Sequence, residues 1–151
     1  MTGDPAALAR FVEAQARDYD TALAELEAGR KRSHWIWYVL PQLRGLGVSP
    51  MAAHYGIADL AEARTYLAHP VLGPRLHACV AAILRHRDTA ARTILGTPDD
   101  LKFRSCLTLF EAAAGDGPGA GAFAEALDAF YGGERDGRTL ALIGHSGGGA
   151  P

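Results

Sequence analysis

The chain has 151 residues, 48% of them apolar and 21% charged, which is an ordinary balance for a globular protein. A chain of this length fits one domain that can bury roughly 70% of its unfolded surface without disulfides or metals. The formal net charge is −2. This value argues against a general nucleic-acid-binding protein, because a basic excess supplies most of the affinity for phosphate backbones.

The chain begins with helix signals. Residues 3–20 predict a helix with Asp4 as its cap. Asp20 is the predicted N-terminal cap of a second, short helix that ends at Gly29. The run "SHWIWYVLP" follows, and both a strand and a helix fit its short length and its aromatic and β-branched residues.

Five further helices are predicted in the middle of the chain. Ser49 and Asp59 are the predicted N-terminal caps of the first two. The apolar pattern of residues 71–96 predicts a long helix and then a short one. The fifth is predicted to start with Thr97 as its cap and to end at Gly115.

The C-terminal part adds one clear helix. Residues 122–133 predict it, and residues 135–144 predict a short terminal segment for which strand and helix both stay open. Residues 144–151 are predicted to be a flexible tail. The sequence therefore predicts an all-α protein, with residues 1–143 forming a single compact domain of about seven to eight short helices.

Several motifs that identify a chemistry are absent or out of place. Residues 144–148, "GHSGG", match the G-x-S-x-G nucleophile elbow, but that motif needs a strand before it and catalytic partners after it, so we expect Ser146 not to be catalytic. The six histidines are not spaced as metal ligands, so neither a metal nor a cofactor is predicted. Cys79 and Cys106 lie in apolar helical patterns, which predicts buried free thiols.

The location of the protein is predicted from the absence of targeting signals. No basic segment followed by an apolar run opens the chain. The longest apolar run, "WIWYVL", is too short to span a bilayer. We therefore expect a cytoplasmic protein without membrane contact.

The stretch "GRKRSHWIWYVLPQLRGLG" combines basic, aromatic and amide side chains. Lys31 can bind an anion, and His34 can exchange a proton near neutral pH. Trp35 and Trp37 can stack on a flat ring, and Gln42 offers both donors and an acceptor. The alternative is that the aromatic and aliphatic residues form core and the basic residues form its solvated edge.

The stretch "DDLKFRSCLTLF" is the second candidate. On a helix Lys102 and Ser105 lie one turn apart. Ser105 and Thr108 interrupt an apolar stripe, so their hydroxyls need partners. Those partners are either backbone carbonyls one turn back or a ligand in a pocket, with Lys102 and Arg104 supplying positive charge at its edge.

Three motifs together resemble the uncharacterised bacterial and fungal family DUF1810. They are the K-x-S-H-W-x-W…P-Q run, the E-A-x-x-Y-L-x-H-P-x-L-G-x-R-L run and the D-D-x-K-x-R-S-x-x-T-L-F run, and the resemblance covers roughly residues 8–143. It implies a mainly α-helical single domain. The polar and aromatic motif residues that a core does not require are Gln15, Lys31, His34, Trp35, Trp37, Gln42, Tyr66, His69, Arg75, Lys102, Ser105 and Thr108.

The chemistry of these residues predicts an anionic, ring-containing ligand such as a nucleotide or an ADP-ribose-like molecule. In this hypothesis His34 is the acid–base group, Lys31, Arg75 and Lys102 clamp the anion, and a tryptophan stacks on the ring. Such a pocket would belong either to a binding protein or to a hydrolase or transferase.

Two other functions stay open. One is a non-enzymatic interaction or regulatory module in which the aromatic run is core or docking surface. The other is a sequence-tolerant RNA binder that stacks bases on the run "RKRSHWIW". The acidic balance of the chain argues against the RNA binder.

Overall fold

The computed structural model describes residues 5–146, and within that range it is helical, with a 3-10 turn at Pro5–Leu8 and no strand. The α-helices are α1 (Ala9–Glu27), α2 (Ile36–Val39), α3 (Pro50–Tyr55), α4 (Leu60–Ala68), α5 (Leu72–Leu84), α6 (Ala91–Leu95), α7 (Asp99–Ala114), α8 (Ala120–Tyr131) and α9 (Gly137–Ser146). The predicted all-α class is confirmed. The described residues form nine α-helices, against the predicted seven to eight.

The difference in number comes from three segments. Two predicted helices are one, because α1 continues past Asp20, which is exposed in its middle, and the predicted cap there is wrong. The alanines, leucines and glutamates on either side favour an unbroken helix. The two segments left open are both helical, namely the single turn α2 and the terminal helix α9.

Two of the predicted N-terminal caps are present at the ends of helices, and a third is not. The Ser49 side chain accepts a hydrogen bond from the amide of Ala52 at 3.1 Å, and Asp59 accepts one from Glu62 at 2.8 Å, so both caps are confirmed. The cap at Thr97 is wrong: α7 begins at Asp99, and the Thr97 hydroxyl donates to the carboxylate of Asp100 instead.

The two ends of the predicted domain lie partly outside the described residues. Asp4, the first predicted cap, lies outside the described residues. Residues 144–146 of the predicted tail form the last turn of α9, and residues 147–151 lie outside the described part. Because a helix and not a strand precedes Ser146, the local geometry of a nucleophile elbow is not present.

Helix α7 is the centre of the core and contacts α4, α6, α8 and α9. Tyr66 of α4 is fully buried between Phe11, whose ring meets it edge-on at 5.2 Å, and Phe110 at 5.1 Å. Cys79 and Cys106 are buried and free, as predicted. Burial raises the pKa of Cys79 to about 12 and that of Cys106 well above its ordinary value, so both thiols are protonated and unreactive at neutral pH.

In residues 5–146 no single helix is long and apolar enough to cross a membrane. Helices α4 and α5 reach the required length and hydropathy only when taken together, and they are bent by 89°.

Candidate functional site

A cavity of about 320 Å³ opens between the segment that follows α2, the start of α7 and the start of α9. This volume lies at the lower end of the range typical of small-molecule sites. Its walls are formed by Gln42, Leu46, Gly47, Pro98, Leu101, Lys102, Arg104, Ser105, Asp136 and Arg138. Three predicted ligand-binding residues, Gln42, Lys102 and Ser105, therefore line one cavity.

The segment after α2 is held in place by its backbone. The amide of Arg44 donates to the carbonyl of Ile57 at 2.8 Å, and the amide of Ile57 donates to the carbonyl of Gln42 at 2.9 Å. This short bridge fixes Gln42 at the cavity wall. Its half-buried side-chain amide makes no hydrogen bond to any of residues 6–144, so its donors and acceptor are available to a ligand.

Helix α7 supplies the floor of the cavity. The Ser105 hydroxyl donates to the carbonyl of Leu101 at 3.2 Å, and the Thr108 hydroxyl donates to that of Arg104 at 2.8 Å. Of the two predicted kinds of partner, a backbone carbonyl one turn back or a ligand, the structure shows the backbone carbonyl for both hydroxyls. Ser105 nevertheless lines the cavity and keeps acceptor capacity, whereas Thr108 is buried and does not line it.

Thr108 connects α7 to the start of α9. Its hydroxyl oxygen accepts a hydrogen bond from the amide of Asp136 at 3.0 Å. The Asp136 carboxylate in turn accepts from the amide of Thr139 at 2.9 Å and from its hydroxyl at 2.6 Å, which starts the helix. These bonds place Asp136 and Arg138 at the cavity wall, so Thr108 positions the site without lining it.

Replacing Thr108 with valine is expected to lower the free energy of unfolding by roughly 1–3 kcal/mol, because the amide of Asp136 loses its buried acceptor. Urea unfolding monitored by circular dichroism measures this change. Thr108→Ser keeps the hydroxyl and is expected to retain most of the stability. Equal stability of the valine variant and the natural protein would contradict the positioning role.

The lining of the cavity carries more positive than negative side chains, in a chain of net charge −2. Lys102, Arg104 and Arg138 line it, against the single carboxylate of Asp136. The contacts that these three cations make with other residues are long or exposed to solvent. Lys102 Nζ lies 3.7 Å from a carboxylate oxygen of Asp99, Arg104 Nη1 pairs at 3.0 Å with Glu134, whose side chain is 73% exposed, and Arg138 Nη1 lies 3.5 Å from a backbone carbonyl. Such pairs cost little to rearrange around a ligand.

The aromatic run is mostly core. Trp35 is 1% exposed, and its indole N–H donates to the carboxylate of Glu25 at 2.9 Å. Trp37 is half-buried, and its ring lies 5.0 Å from Lys102 Nζ. It borders a small hollow of about 10 Å³ that shares Gln42 with the cavity and has room for about one water molecule. Trp37 is thus beside the cavity, and Trp35 is not.

Lys31 has a structural partner. Its side chain is only 7% exposed, and Nζ lies 2.9 Å from the Asp99 carboxylate and 5.0 Å from the centre of the Trp35 ring. The other oxygen of Asp99 faces Lys102. Lys31 therefore anchors the aromatic run to the start of α7, and it does not line the cavity.

His34 and Arg75 lie elsewhere. His34 is exposed and is not among the residues that line the cavity, and its backbone carbonyl accepts a hydrogen bond from the Tyr38 hydroxyl at 3.3 Å. Arg75 of α5 packs over the ring of Tyr19 at 4.6 Å and reaches the amide oxygen of Gln15 at 3.5 Å. The predicted residues therefore do not all converge on one site.

The remaining motif residues shape the fold. Buried Gln15 donates to the carbonyl of Tyr38 at 2.6 Å and to the Tyr66 hydroxyl at 3.0 Å. His69 Nδ1 accepts from the amide of Leu72 at 3.2 Å at the corner between α4 and α5. A side chain at Gly73 would come within 2.2 Å of the carbonyl of residue 67, so the corner requires glycine there.

Sequence reasoning missed Asp136 and Arg138. Both lie in the terminal segment "RDGRTLALIG", for which strand and helix were open. An Asp just before an apolar run is a helix-start signal that could have identified α9. No local sequence signal indicates which helix α9 packs against. Among the described residues no group of three or more His, Cys, Asp or Glu side chains is arranged to hold a metal ion.

Comparisons with known proteins agree with the sequence resemblance. The family model described as "Protein of unknown function (DUF1810)" matches residues 5–143. The crystal structure of the conserved hypothetical protein Rv1873 from Mycobacterium tuberculosis is similar with a TM-score of 0.88 and 49% sequence identity, covering 93% of this chain and 98% of that one. No curated protein matches the chain.

Proposed function

The chain belongs to DUF1810, a family of proteins of unknown function, and we propose that this member binds a phosphate-bearing, nucleotide-like small molecule in the cavity between α7 and α9. The proposal rests on one observation: Lys102, Arg104 and Arg138 all line one cavity of about 320 Å³. A cytoplasmic location is part of the same proposal.

Charge favours an anionic ligand. Three cationic side chains and one carboxylate line the cavity, and a concave wall concentrates the field of such an excess. Asp99 and Glu134, which pair with Lys102 and Arg104 from outside the lining, offset part of this positive charge. Arginine presents a planar fork of donors that matches phosphate oxygens, and lysine adds a compact charge. Leu46, Pro98 and Leu101 give the same cavity an apolar wall, on which a sugar or a base could lie.

The lining residues support binding more than bond cleavage. They include neither a histidine nor a cysteine, and the Ser105 hydroxyl donates to a backbone carbonyl instead of to a base. A nucleophile needs such a base within hydrogen-bond reach. A hydrolase or transferase activity with His34 as acid–base group requires this exposed histidine to reach a ligand from outside the cavity.

A thermal-shift screen tests the proposal with inorganic phosphate, AMP, ADP, ATP, NAD, ADP-ribose and ribose 5-phosphate. A ligand at a hundred times its dissociation constant stabilises a protein by about 2.7 kcal/mol. For a chain of this length the midpoint of unfolding is expected to rise by about 5–11 °C.

Variants assign the shift to the cavity. Lys102→Met and Arg138→Gln are expected to reduce it, whereas Arg85→Gln, an exposed arginine that does not line the cavity, is the matched control and is expected to keep it. His34→Ala is expected to keep it as well. A shift lost in His34→Ala but kept in Lys102→Met would contradict the proposed cavity and support the predicted acid–base role.

An interaction module is the second candidate function. Val48, Leu101 and Leu140 are large apolar side chains that are 102%, 48% and 47% exposed, on the three elements that surround the cavity. Such residues can mark a protein-interaction surface. The aromatic run is mostly core and does not provide it. If no anion in the screen shifts the unfolding midpoint, this function becomes the better supported one, and a partner pull-down follows.

A further inference from the structure

We infer that the ligand carries a hydroxyl group close to its phosphate, as a sugar phosphate does, and that Asp136 recognises this hydroxyl. The inference rests on the proposed function, because it concerns the same cavity. It starts from an unexpected feature of the cavity: a carboxylate lies among three cations that would bind an anion more tightly without it.

The Asp136 carboxylate has one oxygen engaged in hydrogen bonds and one that makes only a long ion pair with Arg104. Oδ2 accepts both hydrogen bonds from Thr139. Oδ1 lies 3.8 Å from Arg104 Nη2, which is beyond hydrogen-bond distance. The backbone amide of Asp136 is held by Thr108, so the residue cannot easily turn away. Oδ1 is therefore a positioned acceptor in the wall of the cavity.

The positive side chains around Asp136 determine which kind of hydrogen-bond donor on the ligand can approach its carboxylate. An ionised carboxylate only accepts hydrogen bonds, so its partner on the ligand must be a hydroxyl or an amine. An ammonium group would be repelled by Lys102, Arg104 and Arg138. A neutral hydroxyl meets no such penalty. Gln42 and Ser105 line the same cavity and can bond to further hydroxyls.

The size of the cavity limits the part of the ligand that it can hold. A volume of about 320 Å³ is at the lower end for small-molecule sites. One phosphate and one sugar suit such a cavity better than a complete dinucleotide does. We therefore assign the cavity to a sugar phosphate, either free or as the terminal part of a larger nucleotide.

Calorimetric titration with matched phosphate monoesters tests this assignment. Propyl phosphate and glycerol 3-phosphate differ only in two hydroxyls, and ribose 5-phosphate adds the sugar ring. The wild-type protein is expected to bind glycerol 3-phosphate and ribose 5-phosphate about tenfold more tightly than propyl phosphate, as one hydrogen bond to a charged acceptor allows.

Asp136→Asn identifies the residue responsible. Asparagine also starts helices well, and with its oxygen held by Thr139 it presents an N–H₂ donor where Oδ1 was. The hydroxyl preference is expected to shrink, because the hydroxyl can then only accept a weaker hydrogen bond from a neutral amide instead of donating to a charged carboxylate. Inorganic phosphate is expected to bind as tightly as before or more tightly, because a negative charge is gone. A purely structural role of Asp136 would weaken all the phosphates together. Asp136→Ser, another good helix cap, has a single side-chain oxygen for Thr139 and no second group at the position of Oδ1, so it is expected to abolish the preference, and it also replaces Asp136→Asn if that variant fails to fold.

The outcomes separate the two proposals. Binding of all three monoesters with equal affinity by the wild-type protein, or a hydroxyl preference that is undiminished in both Asp136→Asn and Asp136→Ser, overturns the assignment of Asp136 and leaves the anion site standing. Absence of binding by inorganic phosphate and by every monoester overturns both the sugar-phosphate assignment and the proposed function.

Discussion

Glu62→Ala is expected to lower the free energy of unfolding by roughly 3–5 kcal/mol, because it leaves a largely buried guanidinium, that of Arg10 with a side chain only 14% exposed, without its counter-charge. Glu62 is 6% exposed, and its carboxylate lies 2.9 Å from Arg10 Nη2. The same oxygen accepts from the amide of Ala58 at 2.9 Å, just before α4. One carboxylate thus joins α1 to the start of α4. Thermal unfolding is expected to show a midpoint about 6–20 °C lower.

Two further variants separate charge from packing. Glu62→Gln keeps an oxygen for both hydrogen bonds and is expected to cost less than Glu62→Ala. Arg10→Met combined with Glu62→Leu removes both charges, and such replacements are often close to neutral in stability. A double variant that is less stable than Glu62→Ala would show that the ion pair is not the cause.

Local chemistry explains which parts of the fold could be predicted. The caps at Ser49 and Asp59 depend on residues three positions apart, and both are present as predicted. The prediction at Asp20 was wrong because a good cap residue is also tolerated inside a helix whose neighbours favour it. The Thr97 hydroxyl had a competing local acceptor in Asp100.

The candidate site was predictable only in part because burial cannot be read from residue type. Lys31 and Lys102 have the same chemistry and both contact Asp99, but their side chains are 7% and 25% exposed. The first is a core anchor and the second lines a cavity. Arg138 reaches that cavity only because the Thr108 hydroxyl holds the amide of Asp136, a contact across 28 residues. Such pairings have no local sequence signal.

Glu25→Ala is expected to lower the free energy of unfolding at pH 7 by roughly 2 kcal/mol and to loosen the aromatic run. The Glu25 carboxylate accepts four hydrogen bonds: from the amides of Arg32 and Ser33 at 2.8 and 3.0 Å, from the Ser33 hydroxyl at 2.6 Å and from the Trp35 indole at 2.9 Å. The residue was not singled out in the sequence, because its partners follow in a loop 7 to 10 positions later.

The pH dependence of stability distinguishes the charge of Glu25 from its packing. Burial by itself raises the pKa of Glu25, but the bonds from Ser33, Arg32 and Trp35 outweigh it and hold the pKa at about 2, below its ordinary value of 4.5. A lowered folded-state pKa stabilises the protein at pH values above the unfolded pKa, and this contribution is lost as the pH falls from about 4.5 towards 2. The stability difference between wild type and Glu25→Gln is therefore expected to be largest at pH 7 and to shrink below pH 4.5.

Urea unfolding followed by tryptophan fluorescence measures this difference at pH 7, 4 and 3. Trp35 reports directly, because its indole N–H is one of the four donors. Glu27→Gln is the matched control, since Glu27 is exposed on the same helix and is expected to change stability by less than about 0.5 kcal/mol. A pH-independent difference for Glu25→Gln would mean that the carboxylate acts through shape and not through charge. The predicted shrinkage would instead show that one ionised side chain of α1 holds the loop that carries Lys31 to Asp99, and with it the aromatic run beside the cavity.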